Sequence, residues 1–215
     1  MKGGTSPEER PRAILLDLLM GVMNSIEVWV TAAGDPQLGL AWRDAATRRM
    51  VTNPRYRAYA DLVGEAAAEV GLPDDAASAL LDRWGRMEPW PDAAALKGLY
   101  LPYAFVTNCS AELAAVAAGR SGLAPAFTLS AEEAGWYKPD ARIYHEACRR
   151  MGTSPLQVVF VAGSAYDADG ARAVGMPTWF ITRRSDHRPS DASIRVTGSL
   201  AKVAAAMGQA DPTRP

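Results

Sequence analysis

The stretch AILLDLLMGV, residues 13–22, sets one carboxylate, Asp17, inside an otherwise apolar run. A charge in such surroundings is costly unless a partner or a task compensates it. A carboxylate is ionised at neutral pH without activation, so it can act as a nucleophile or a base. By its local sequence alone, Asp17 could equally cap the turn that follows it. Two more polar clusters end apolar runs in the same way: Thr107-Asn108 after YAFV, and Gly163-Ser164 with Asp167 after VVFVA. Lys138 precedes Pro139, which disfavours helix at the lysine and predicts an extended or loop approach. His145 and His187 show no HxH or HExxH spacing and read as surface histidines. Cys109 and Cys148 lack CxxC spacing and make no disulfide framework, so a reducing cytoplasm is the expected compartment.

These groups need elements to hold them. RAILLDLL (12–19) suits a buried strand. From Asn24 to Met87 the texture is helical, with Gly34 and Gly71 as exits and Pro73 and Asp74 at a helix start. Strand-like runs then alternate with helices. The strands are YAFVTN (103–108), AFTLS (126–130), QVVFVAGS (157–164) and PTWFITR (177–183). The helices are SAELAAVAAGRSG, capped by Ser110, then DARIYHEACRRMG and DADGARAVG. The alternation predicts an α/β fold, a parallel sheet with helices on both faces. Chemistry in such sheets collects beyond the carboxyl ends of the strands, where Asp17, Thr107-Asn108 and Gly163–Asp167 all fall. The expected organisation is a Rossmann-like core from residues 1–22 and 89–215, with a helical cap inserted at 23–88. A cap placed directly after a nucleophile strand can close and exclude water. Residues 1–11 and 208–215 read as frayed tails.

Composition narrows the partners. The 215 residues are 48% hydrophobic and 22% charged, with a net charge of −1. That balance argues against nucleic acid and anionic membranes as partners, since no basic excess exists to neutralise phosphates. The arginine pairs Arg48-Arg49, Arg149-Arg150 and Arg183-Arg184 read as solvated faces. MKGGTSPEERPR is polar, and Asp17 interrupts the apolar run after it, so neither a signal peptide nor a membrane span is expected.

Several pieces together resemble the haloacid dehalogenase superfamily. They are Asp17 at the first strand end, AWR (41–43), VTN (106–108), GWYKPDARIYHEA (135–147) and VVFVAGSAYDADGARAVGMPTWFITR (158–183). Within it, the likeness is to the metal-independent 2-haloacid dehalogenases and their relatives, including azetidine-carboxylate hydrolases. The resemblance implies that Asp17 attacks a substrate carbon and forms an ester that water cleaves. It puts the Lys138 ammonium beside Asp17 and Asp167, which keeps both carboxylates ionised. Asp167 then orients or activates the water, with Asp169 as its rival. Thr107, Asn108 and the amides after them would hold a substrate carboxylate at a helix start. Arg43 would receive the leaving group or grip the substrate, Tyr144 would stand near the nucleophile, and Ser164 would face the substrate. Trp42, Trp136 and Tyr166 would wall the pocket or pack in the core. The implied partner is a small 2-substituted carboxylic acid, with no metal and no cofactor. Homodimers are frequent among such enzymes, although no stretch here displays an interface.

The chain also departs from its relatives. Phosphatases of the superfamily carry a second acid two residues after the nucleophile, where this chain has Leu19. They carry another acid in the fourth motif, where this chain has Gly163 and Ser164. Too few carboxylates remain for an octahedral magnesium site, and Leu19 cannot protonate a leaving alcohol, so phosphoryl transfer is disfavoured. The dehalogenases carry Ser-Ser-Asn-x-Trp-Asp in the fourth motif, against Ala162-Gly163-Ser164-Ala165-Tyr166-Asp167 here. Their first motif has a Gly-Thr-Leu turn, against Met20-Gly21-Val22 here. Three readings stay open: displacement of halide, opening of a strained carbon–nitrogen ring, and a silent binding protein on the same fold.

Overall fold

The computed structural model describes residues 11–184 and 187–208. Most of the two expected tails lies outside that range. The centre is a sheet of six strands: β1 (Ala13–Asp17), β2 (Tyr103–Thr107), β3 (Thr128–Ser130), β4 (Val158–Ala162), β5 (Thr178–Ile181) and β6 (Arg195–Thr197). All pair in parallel, in the order β3-β2-β1-β4-β5-β6. The chain winds outward from β1 in both directions. Right-handed crossovers therefore put helices on opposite faces, as the alternation predicts. With both faces covered, β1 and β4 are buried along their whole length, which is why they read as unbroken apolar runs.

Register brings the polar strand ends level. Asp17 stands opposite Val106 on β2, and Leu16 stands opposite Val161 on β4. Asp17, Asn108 and Gly163 therefore share one edge of the sheet, at the point where the strand order reverses. After Asp17 the chain makes a single π-helical turn, Leu18–Val22, closed by the Met23 N–H donating to the Leu18 carbonyl at 2.8 Å.

Four helices follow: α1 (Ser25–Ala33), α2 (Pro36–Thr52), α3 (Tyr59–Glu69) and α4 (Ala76–Asp82). Gly34, in the left-handed region at φ 70°, ends α1, and the Asp35 carboxylate caps α2 through the Leu38 amide at 2.8 Å. Trp42 is fully buried among these helices, edge-on to Trp29, and its indole donates to the Val63 carbonyl. The helices thus enclose apolar contacts of their own. The chain leaves the sheet and returns side by side: Met23 bridges Pro89, Asn24 donates to the Glu88 carbonyl, and Trp90 donates to that of Val22.

The crossovers on the sheet carry α5 (Ala111–Arg120), α6 (Ala131–Ala134), α7 (Ala141–Met151) and α8 (Ala165–Ala173), and α9 (Leu200–Met207) follows β6. Ser110 caps α5 through the Leu113 amide, as expected. Strand β6 and helix α9 have no counterpart in the sequence reading. Arg195 and Val196 of β6 are exposed, so the strand has no alternating apolar pattern to betray it. No helix among the described residues is long and apolar enough to cross a membrane.

Candidate active site

Asp17, Lys138 and Asp167 meet at the carboxyl edge of the sheet. The Lys138 ammonium lies 2.9 Å from Asp17 Oδ1 and 2.6 Å from Asp167 Oδ2, and also donates to the Val106 carbonyl at 3.1 Å. All three side chains are buried. One cation thus neutralises two carboxylates, and the carbonyl takes its remaining donor. Burial pulls the lysine pKa down, but the charges of Asp167 and Asp17 outweigh it and the net shift is upward. Burial pushes Asp167 up to about 6, against the pull of Lys138 and with the charge of Asp17 adding to the rise. A carboxyl raised in this way is better suited to exchange a proton than an ordinary one.

The surroundings fix this triad from three sides. Asn108 clamps the backbone of Lys138: its Oδ1 accepts from the lysine N–H at 2.7 Å, and its Nδ2 donates to the lysine carbonyl at 3.0 Å. The Tyr144 hydroxyl donates to Asp167 Oδ1 at 2.6 Å. Desolvation raises the pKa of Tyr144 well above that of an ordinary phenol, so it keeps its proton and remains a donor. Gly170 permits this packing, since a Cβ there would come within 2.5 Å of Pro139 and 2.8 Å of the Tyr144 hydroxyl.

The second oxygen of Asp17 is held by backbone. Asp17 Oδ2 accepts from the Gly163 N–H at 3.2 Å. Gly163 lies so close to the turn after Asp17 that a Cβ would stand 2.3 Å from Gly21 N and from Met20 C. Any side chain at 163 would displace that turn. The two altered motifs are therefore one packing arrangement. The turn is also held from outside. The Trp90 indole donates to the Met20 carbonyl at 3.0 Å, and Arg183 donates to that of Gly21 at 3.0 Å while pairing with Asp92.

Beside Asp17 opens a cleft of about 40 Å³, with Lys138 and Asp167 buried behind it. Asp17, Asn108, Ser164 and Tyr166 border it from the sheet, and Leu19 and Met20 from the turn. The opposite wall is helical. Ser25 and Trp29 of α1 lie one turn apart. Arg43, Ala46, Thr47 and Met50 of α2 follow the i, i+3, i+4, i+7 spacing of a single helix face. Arg43 is the cleft's guanidinium, beside a mostly apolar wall.

Some expectations need correction. Thr107 is fully buried and its hydroxyl lies against Cys109 Sγ at 3.6 Å, so its side chain does not reach the cleft. Strand alternation turns it away from the side that Asn108 serves. Asn108 borders the cleft, but its carbonyl and amide are both engaged by Lys138. The Ala111 amide at the start of α5 is taken by Glu132 at 2.8 Å. Tyr144 is placed behind Asp167 instead of in the cleft. Trp42 packs among the helices, and Trp136 lies under the Arg142 guanidinium at 3.1 Å, so Tyr166 alone of the three walls the cleft. Asp169 holds the amides of Ser190 and Asp191 and is no rival to Asp167. Arg183 and Arg184 are not a solvated face. Both are largely buried and ion-paired, with Asp92 and Asp44. Tyr59 of α3 also borders the cleft, and it, Ser25, Trp29, Ala46, Thr47 and Met50 were not anticipated. The helical face spacing was the one signal that could have found the residues of α2. Among the described residues, no three His, Cys, Asp or Glu side chains gather around a common point.

Comparison with known proteins supplies an independent measure. The family model described as haloacid dehalogenase-like hydrolase matches residues 18–175, starting one residue beyond Asp17. (S)-2-haloacid dehalogenase 4A of Burkholderia cepacia is 32% identical over 192 residues, 80% of each chain. (S)-2-haloacid dehalogenase 1 of Pseudomonas sp. strain CBS-3 is 32% identical over 162 residues, 68% of this chain and 71% of the relative. In three dimensions, L-2-haloacid dehalogenase from Xanthobacter autotrophicus superposes with a TM-score of 0.78 at 18% identity, over 91% of this chain and 97% of that one.

Proposed function

The chain belongs to the haloacid dehalogenase-like hydrolases, and from that premise we propose that it hydrolyses the carbon–halogen bond of small (S)-2-haloacids through an ester on Asp17. The observation that carries this reading is Asp17, bordering a cleft that bears Arg43 and backed by the Lys138 ammonium, which it shares with Asp167. In the first step a carboxylate oxygen of Asp17 bonds to C2 from the side opposite the halogen. The carbon–halogen bond breaks and halide leaves with the electron pair. Backside attack inverts C2. Lys138 and the Gly163 amide keep the carboxylate aligned without consuming a proton.

In the second step water attacks the carbonyl carbon of the ester, Asp167 takes one of its protons, the acyl carbon–oxygen bond breaks, and the departing alkoxide takes the other proton. The 2-hydroxy acid leaves and Asp17 is restored. The net products are a 2-hydroxy acid, halide and one proton. A ring-opening reading shares the ester, but its leaving nitrogen is already a cationic ammonium at neutral pH and is repelled by a guanidinium, whereas a departing anion is stabilised by one. Arg43 therefore favours halide.

The test is a turnover in oxygen-18 water with (S)-2-chloropropionate, followed by mass spectrometry of the peptide holding Asp17. The label is expected in Asp17 after repeated turnovers, with stoichiometric halide release and an (R)-2-hydroxy acid product. Asp17→Asn should abolish steady-state turnover. Label that appears only in the hydroxy acid over many turnovers, with none in Asp17, defeats the ester mechanism.

A further inference from the structure

The guanidinium in the cleft has an acid as its immediate neighbour in sequence. Asp44 Oδ1 lies 3.6 Å from Arg43 Nη1, a long contact that leaves Arg43 turned toward the cleft. Left alone, a carboxylate at this range would pull the arginine toward itself and weaken the charge that faces the substrate. Asp44 is not left alone. Arg184, from the segment after β5, donates to both of its oxygens, Nη1 to Oδ1 at 2.7 Å and Nη2 to Oδ2 at 3.0 Å. Both side chains are substantially shielded from solvent, so the pair is less screened than a surface ion pair. The fork from the sheet side occupies the acid and spans the junction between the sheet and α2.

We propose that Arg184 is a positioning residue: by saturating Asp44 it keeps Arg43 available to the cleft. This rests on the reading that Arg43 receives the leaving halide. It differs from a mere tether between layers in one respect, the sign of a second substitution. Removing Arg184 frees Asp44 to capture Arg43, so removing Asp44 as well should restore function. A tether gives no such recovery.

The experiment compares wild type, Arg184→Gln, Asp44→Asn, the double variant and Arg43→Lys. Each is assayed with 2-chloropropionate and 2-bromopropionate, and bromide affinity is measured by calorimetry. Arg184→Gln is expected to lower kcat on the chloride by about tenfold and less on the bromide, because the poorer leaving group depends more on the guanidinium. The double variant is expected to recover most of that loss and to regain bromide affinity. A loss of active protein would lower both substrates equally, so the leaving-group dependence separates positioning from stability. A double variant no better than Arg184→Gln, in turnover and in bromide affinity, overturns the proposal. If Arg43→Lys leaves the chloride-to-bromide ratio at its wild-type value, the reading of Arg43 fails and this proposal with it. A changed ratio in Arg43→Lys together with an unchanged one in Arg184→Gln refutes the role of Arg184 alone.

Discussion

Asp17 stands at a strand end, Lys138 in the turn before α7 and Asp167 in the first turn of α8, and the three fix one another, whereas Arg43, Trp29, Thr47 and Met50 stand on the inserted helices across the cleft. The floor is polar, buried and closely hydrogen-bonded. The roof mixes apolar side chains with Ser25, Thr47 and Arg43, and the Asp44–Arg184 pair ties it to the segment after β5. The contrast teaches a division of labour. Charge alignment requires rigid backbone, so it sits where strand β1 and the starts of α7 and α8 converge, while discrimination among substrates needs only shape and one anion-binding group, which the inserted helices supply.

The sharpest way to break this contrast is at Lys138. Lys138→Met leaves two buried carboxylates without their cation. Halide release should fall below detection, and stability should drop by roughly 3–5 kcal/mol, read from the urea midpoint. Gly163→Ser comes next. Its new side chain would collide with the turn carrying Met20 and Gly21. We expect kcat to fall by more than about a hundredfold and stability by about 1–3 kcal/mol. A variant with wild-type kcat would show the floor to be softer than its packing indicates.

Tyr144 offers a finer probe. Because Asp167 must be ionised to accept a proton, kcat should rise with pH through a limb near 6. The Tyr144 hydroxyl favours the charged carboxylate, so Tyr144→Phe should move that limb upward by about one pH unit. A limb that stays in place would detach Tyr144 from the chemistry. The smallest effect belongs to the roof. Met50→Ala enlarges the apolar wall and should change the preference between 2-chloropropionate and its longer homologues by about tenfold, with kcat on the best substrate nearly unchanged. A collapse of kcat instead would mean that the roof shares the floor's work.

The same contrast explains what the sequence disclosed. Asp17 and Asn108 stand at the ends of short apolar strands, which one-dimensional texture exposes; Asp167 follows β4 in the first turn of α8, and Lys138 was singled out through its family-like surroundings. Their partnerships were less legible. Tyr144 is 23 residues from Asp167 and Arg184 is 140 from Asp44, so nothing local announces either contact. Arg183 and Arg184 look like any solvated pair until the segment after β5 carries them against the turn and α2. The roof was dimmer still. Trp29 and Trp42 are alike in composition and lie on neighbouring helices, yet one faces the cleft and the other is sealed among helices. Only the relative rotation of α1 and α2 decides between them.

The contact between residue 163 and the loop behind the nucleophile has a historical corollary. A serine introduced at that place in a single step collides with main chain, so the substitution requires the loop to be reshaped with it. An ancestral lineage or a protein engineer moving between the two signatures must therefore alter both segments in concert. Chimeras that exchange only one of them should be the unfit intermediates of that path.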